Sequence, residues 1–316
     1  MEFIAALMKS MPGAVGQGMI WGIMAIGVYI TYRILDVADL TVDGSLATGG
    51  AVCVLLTLNG ANVWVALLVA VLAGVLAGFV TGAFHTFCGI PPILAGILTQ
   101  LALYSVNLRI MGWGTGAGKA NLPISVDKYD LIISSRYVRD VGVQNPILAL
   151  VIFCVVIIGV LYWFFGTEIG CSLRATGSNH NMARAQGINT NVTKVLGLMI
   201  SNGLVALAGA LLSQYQGFSD INMGRGAIVI GLAAVIIGEV IFDKVFHNFA
   251  LKLLASIIGA IIYYIVIQFV LRLGLSTDDL KLLTAFVVAV FLAVPYWKGK
   301  YFPGKIKSEK GAATDA

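Results

Sequence analysis

Seven stretches of this chain, 13–35, 61–84, 90–110, 145–166, 193–217, 248–271 and 281–297, are apolar and nearly free of charge. Each meets or approaches the roughly 20 residues that a helix needs to cross a hydrocarbon core. In lipid every backbone N–H and C=O must find its partner inside the protein, so a spanning segment of this kind is a helix. The chain is therefore expected to be an all-α polytopic membrane protein. Composition agrees: 59% of the residues are hydrophobic and 11% are charged, where a soluble domain carries about 25% charge. No polar stretch is long enough to form a separate soluble domain.

Two shorter apolar runs, 45–58 and 227–242, complicate the count. At about 1.5 Å per residue the first reaches only about 21 Å. Both read as short or broken spans, which brings the total to about nine. The chain then divides into one transmembrane domain, 1–297, and a basic tail, 298–316. Five lysines just after the last apolar run (Lys298, Lys300, Lys305, Lys307 and Lys310) place that tail in the cytoplasm by the positive-inside rule. Counting back, the loop 167–192, with Arg174 and Arg184, is also cytoplasmic. The loop 111–144 then lies outside, and with nine spans so does the N-terminus; if 45–58 does not cross, the N-terminus lies inside and everything after residue 61 is unchanged. The first apolar run lacks a small-residue cleavage site and reads as an anchor rather than a removed signal.

Several functions are excluded. The four cysteines (Cys53, Cys88, Cys154 and Cys171) lack paired spacing, which argues against a disulfide framework or a zinc site. The three histidines are too scattered to ligate a metal together. Gly112 to Lys119 resembles a phosphate loop only superficially, because the glycine spacing is wrong and Ala120 stands where Ser or Thr would hold magnesium. No nucleophile or carboxylate pair suggests catalysis, and no basic patch alternates with aromatics as nucleic-acid binding would need. Nucleotide hydrolysis, if coupled to this chain, must occur on another.

Glycines mark where helices meet. Gly74, Gly78 and Gly82 form one small-residue ridge, and Gly18 and Gly22 a second notch. Small residues let transmembrane backbones approach, since lipid gives helices no hydrophobic reason to associate. Residues 37–56 also resemble 218–237. Asp39 aligns with Asp220, Gly50 with Gly231 and Val54 with Val235, and each segment leads into one of the short runs. In a nine-span arrangement the two copies are oppositely oriented, as in transporters built from inverted repeats with broken helices. Asp39, Asp43, Asp220 and Arg225 gather at these lead-ins, while Gln100 and Asn107 lie in the fourth long run. They are the candidate lining of a translocation path. The alternative is that the charged ones mark span ends at headgroup level and the amides join helices.

The loop 167–192 carries the most specific pattern. Residues Ser178 to Gln186 read as a short helix, capped by Ser178 or Asn179 and closed by Gly187 in a left-handed turn. Ala183 and Ala185, small and set beside Arg174 and Arg184, suit docking into a cleft on a partner protein.

Here the chain resembles the permease family of ATP-binding-cassette importers that serves branched-chain amino acids, ribose and related solutes. The resemblance runs from about residue 13 to 297. Gly170, Arg174, Ala175, Gly177, Asn179, Ala183, Ala185, Gly187 and Ile188 are similar to that family's cytoplasmic coupling segment, and Ser201 with 206–210 to its next helix. It implies that Arg174, Ala175, Gly177, Ser178, Asn179, Ala183, Arg184, Ala185 and Gly187 contact the ATPase. It further implies a permease homodimer in the bacterial inner membrane, two cytoplasmic ATP-binding subunits and an extracytoplasmic solute-binding protein. ATP and magnesium then belong to the ATPase, and this chain needs no cofactor. The lead-in 39–50 resembles a subgroup linked to amino acids, aromatic ones among them. A sugar or nucleoside permease of the same architecture is the first rival, and an ATP-independent transporter or channel the second.

Overall fold

The computed structural model describes residues 2–114, 116–125, 128–129, 131–138, 145–242, 246, 248–272 and the positions 282, 285, 286, 288–290 and 293. Among the described residues ten α-helices dominate: α1 (Glu2–Tyr29), α2 (Val42–Leu58), α3 (Val63–Thr86), α4 (Pro92–Met111), α5 (Pro146–Gly166), α6 (Glu168–Ser178), α7 (His180–Ala185), α8 (Thr190–Gln216), α9 (Ala227–Phe242) and α10 (Phe249–Arg272). Among the described residues six helices are long and apolar enough to cross a membrane, while α2 and α9 are shorter. Most of the expected ninth span, 281–297, and the basic tail lie outside the described residues, as do parts of the loop 111–144.

Local chemistry sets the helix boundaries. Asn62 and Asn145 cap α3 and α5 by accepting from the N–H of Trp64 and Ile147, which satisfies donors that a helix start leaves open. Pro92 and Pro146 occupy first-turn positions, where a missing N–H costs nothing. Gly217 ends α8 at φ +80°, the left-handed cap that glycine adopts without strain.

Small residues then decide the packing. A Cβ on Gly74, Gly78 or Gly82 of α3 would strike α8 at Asn202, Leu198 or Val195 respectively, so the two helices run antiparallel with backbones in close contact. Gly18 and Gly22 of α1 do the same against Ile261 and Ile257 of α10. Both glycine ridges in the sequence are thus helix seams. In α2, Gly49 meets Ala206, and Ser45 bonds Asn202, which sets α2 parallel to α8. In α9, Gly231 meets Val28 and Glu239 meets Arg33, which sets α9 parallel to α1.

The bundle therefore has two ends. One holds the C-termini of α1, α3, α5 and α9, the start of α8, and α6 and α7; we call it the α7 end. The other carries a feature that the all-α expectation omits. Strand β1 (Asn121–Pro123) pairs antiparallel with β2 (Phe218–Asp220), with Asn121 opposite Asp220. This two-stranded ribbon ties the long loop to the segment after α8.

Candidate functional site

Helix α1 ends in a π-helical turn, Ile30–Ile34, and the chain then turns back into the bundle as extended backbone before α2 begins. Contacts fix how far it returns. Leu40 lies against Gly96 of α4, Thr41 Oγ1 is 2.7 Å from Thr81 Oγ1 of α3, and Asp39 Oδ2 accepts from Asn202 Nδ2 at 2.7 Å. Asn202 stands near the middle of α8. The start of α2 is accordingly well inside the bundle, between the level of Thr81 and that of Asn202. Non-helical backbone is tolerated there only when protein or a cavity surrounds it.

Asp39 is only 2% exposed, and every oxygen is used: Oδ1 accepts from Thr41 N at 2.9 Å, while Asn202 in turn receives Ser45 Oγ at 2.6 Å. This chain of bonds ties α2 to α8 at the point where α2 starts. Asn202 and Ser45 were not distinguished by the sequence, since a lone amide and a lone hydroxyl in apolar runs carry no spacing signal.

The second half-helix starts at the same level. After β2 the chain turns inward, and Gly224 comes against the Asp43 backbone. The Asp43 carboxylate then accepts from Gly226 N at 2.9 Å and Ile228 N at 3.0 Å. It caps α9 from the first turn of α2. The N-termini of α2 and α9 thus meet mid-bundle, pointing at each other, with one carboxylate between their positive dipole ends.

The remaining path candidates separate. Gln100 of α4 lies half-buried beside Gly44, next to the α2 start. Asn107, 1% exposed, donates from Nδ2 to Gly44 O at 3.5 Å, and its Oδ1 has no hydrogen-bond partner among the described residues. Arg225, one residue from the Asp43-bound Gly226, is exposed, as are Asn222, Gly226 and Val229. Asp220 does not join them; it lies in β2 at the sheet end and caps a turn through Asn222 N at 2.7 Å.

At the α7 end, Asn179, not Ser178, caps α7 by accepting from Met182 N, and Gly187 follows at φ +82°. Ala183 is buried, and its N–H and carbonyl are tied to Asn179 and Ile188 respectively. Ala185, Arg184, Met182 and Asn181 are exposed. Arg184 is braced by Thr190 Oγ1 at 2.9 Å, and Gly177 packs on the Ile34 backbone, so α6 is pressed against the end of α1. Arg174 reaches back to Phe165 O at 2.8 Å. Burial pushes the His180 imidazole below its ordinary value, and the like charges of Lys194, Arg184 and His85 add to the effect.

The whole of this architecture, residues 11–295, matches the family described as branched-chain amino acid transport system / permease component. The chain belongs to that family. This permease is 41% identical over 280 residues to the tyrosine transport system permease protein of Clostridioides difficile, covering 88% of each chain. It is 26% identical to the fructose import permease of Bifidobacterium longum, over 80% of this chain and 68% of that one. The ribose import permease of Escherichia coli is also 26% identical, over 68% of this chain and 64% of its own. Among solved structures, PsaBC from Streptococcus pneumoniae overlays with a TM-score of 0.42 at 17% identity, covering 84% of this chain and 95% of that chain, too remote to carry an argument. The permease is accordingly a multi-pass protein of the bacterial inner membrane and the membrane-spanning subunit of an ATP-binding-cassette importer.

Proposed function

We propose that the permease carries an amino acid, aromatic ones included, along the face where α2 and α9 begin, and that a second copy of the chain closes this face into a path. The observation that carries the reading is Arg225: an exposed guanidinium at the level of the α2 start cannot face hydrocarbon without a heavy cost. Water or a partner must cover it. Arg225 then offers the carboxylate of a zwitterionic solute a cation and the half-buried Gln100 an amide, with the Asp43 carboxylate close by in the α9 cap. The tyrosine permease relative supports the choice of solute class over a sugar. Asp220, at the sheet end, belongs to the entrance rather than to the path.

The α7 end is the cytoplasmic side in this reading, the side to which the lysines of the C-terminal tail are assigned by sequence. The exposed row Met182, Arg184 and Ala185 of α7, with Arg174, Ala175, Gly177, Ser178, Asn179, Ala183 and Gly187 as its support, receives the ATP-binding subunit, which alone holds ATP and magnesium. The sheet end receives the solute-binding protein. Gly177 against Ile34 passes movement of α6 to α1, and α1 runs beside α9. ATP-driven closure need only bias two arrangements that already exist. The packing also supports an inverted repeat in which α1–α3 correspond to α8–α10. Exchanging the two sets turns the α2–α8 and α3–α8 seams into the α9–α1 and α10–α1 seams, with the same relative directions.

Reconstitution with the ATP-binding subunits and the solute-binding protein tests this. ATP-dependent uptake of labelled tyrosine into proteoliposomes, competed by other aromatic amino acids and not by ribose, is the expected result. Uptake of ribose alone would replace the substrate class, and uptake without ATP would overturn the importer mechanism.

A further inference from the structure

A cavity of about 1030 Å³ opens at the α7 end between α1, α5, α6 and α10, away from the α2–α9 junction. Arg33, Arg174 and Lys252 line it, together with Tyr162, Trp163 and Phe249. Two features of this wall stand out. The first is its charge. Glu239, a carboxylate in the adjoining recess, is engaged by Arg33 at 2.8 Å. The Lys252 ammonium makes no hydrogen bond or ion pair among the described residues. Arg174 is held in place by Phe165 O and by the Phe249 ring, 6.0 Å from its centroid, with only one terminal nitrogen occupied.

The second feature is depth. Helix α5 has 21 residues, about 31 Å at 1.5 Å per residue, close to the hydrocarbon thickness of a bilayer. Its exposed stripe, Val151, Ile152, Val155, Val156 and Val160, is purely apolar, the character of a lipid-facing surface on a spanning helix. That stripe ends at Tyr162 and at Trp163, which is 72% exposed. Aromatic residues of this kind sit at headgroup level. The cavity mouth is therefore continuous with the lipid-facing surface and lies where headgroups begin.

We propose that this cavity binds the phosphate headgroup of an anionic phospholipid, such as phosphatidylglycerol, from the leaflet on the α7 side. The three cations take the phosphate, in the manner of basic pockets between transmembrane helices. The acyl chains lie along the apolar stripe of α5. The lipid would then hold α6, through Arg174, to the ends of α1 and α10.

Native mass spectrometry of the transporter, purified with its ATP-binding subunits and exchanged into defined lipid, reads this directly. One phosphatidylglycerol should be retained per permease chain, phosphatidylcholine should not, and excess inorganic phosphate should leave the lipid in place. Lys252→Gln should weaken retention about fivefold, the factor for one interfacial cation, and Lys252→Arg should restore it. Equal retention of both lipids, displacement by phosphate, or no change in Lys252→Gln would overturn the proposal. So would loss of the ATP-binding subunits from Lys252→Gln with lipid retained, because the cavity would then belong to that protein partner. The lipid comparison on unmodified protein stands even if a variant fails to fold.

Discussion

Asp43 on α2 holds Gly226 at the start of α9, carboxylate to backbone N–H, at 2.9 Å across 183 residues of sequence. Together with the bond from Ile228 N, it locks the N-termini of two half-helices face to face in the middle of the bundle. A helix end buried away from water needs such a partner, because its first N–H groups have none within the helix. The carboxylate also answers the positive ends of both dipoles.

Asp43→Ala should therefore destabilise the permease by about 1–2 kcal/mol, the worth of a lost cap with its dipole contribution. Asp43→Asn, which keeps one acceptor oxygen, should recover part of it. Reversible denaturation in mixed micelles gives the comparison. Equal stability of all three proteins would mean that the cap contributes nothing.

Gly78 tests the α3–α8 seam. Any Cβ there would overlap the Leu198 backbone, and overpacking of this kind costs about 1–3 kcal/mol before backbones separate. Gly78→Val should lower the thermal midpoint sharply. Gly159→Val, at a position with open space around it on α5, should not.

His180 gives a pH dependence. Its folded value lies below the ordinary 6.5, chiefly through desolvation. As the pH falls, an unfolded segment takes up the proton first. The contribution to stability is thus complete above 6.5 and is lost as the pH drops below it toward the folded value. The protection of residues 179–190, exchange measured relative to the intrinsic rate at each pH, should fall over that range, and His180→Gln should flatten the change. Histidine NMR should find His180 titrating below 6.5, and Arg184→Gln should raise it.

Much of the bundle was legible from residue pattern, and the reasons are local. Helix α9 occupies 227–242 as read, and α5 begins one residue inside its expected start, because apolar runs bounded by Pro, Gly and Asn need no tertiary information. Asn179 and Gly187 were readable as a cap and a left-handed turn for the same reason. The path was not. Asp39, Asp43 and Arg225 fit either a passage or a membrane boundary on sequence alone. Their depth comes from Asn202 and Thr81, which lie on helices far along the chain. Asp220 looked equivalent to Asp39 in the repeat, yet the β1–β2 ribbon draws it to the sheet end. Strands of three residues have no periodicity to detect.

The face bearing Arg225 is proposed as a water-filled path, and thiol chemistry reads its solvent directly. In a protein whose exposed Cys88 and Cys171 are replaced by serine, R225C should react with a membrane-impermeant, charged thiol reagent in the assembled transporter. Transport substrate or trapping of the ATP-bound state should change the rate. Labelling only by lipid-soluble reagents, at a rate indifferent to both, would place Arg225 against the bilayer and rule out a path along this face.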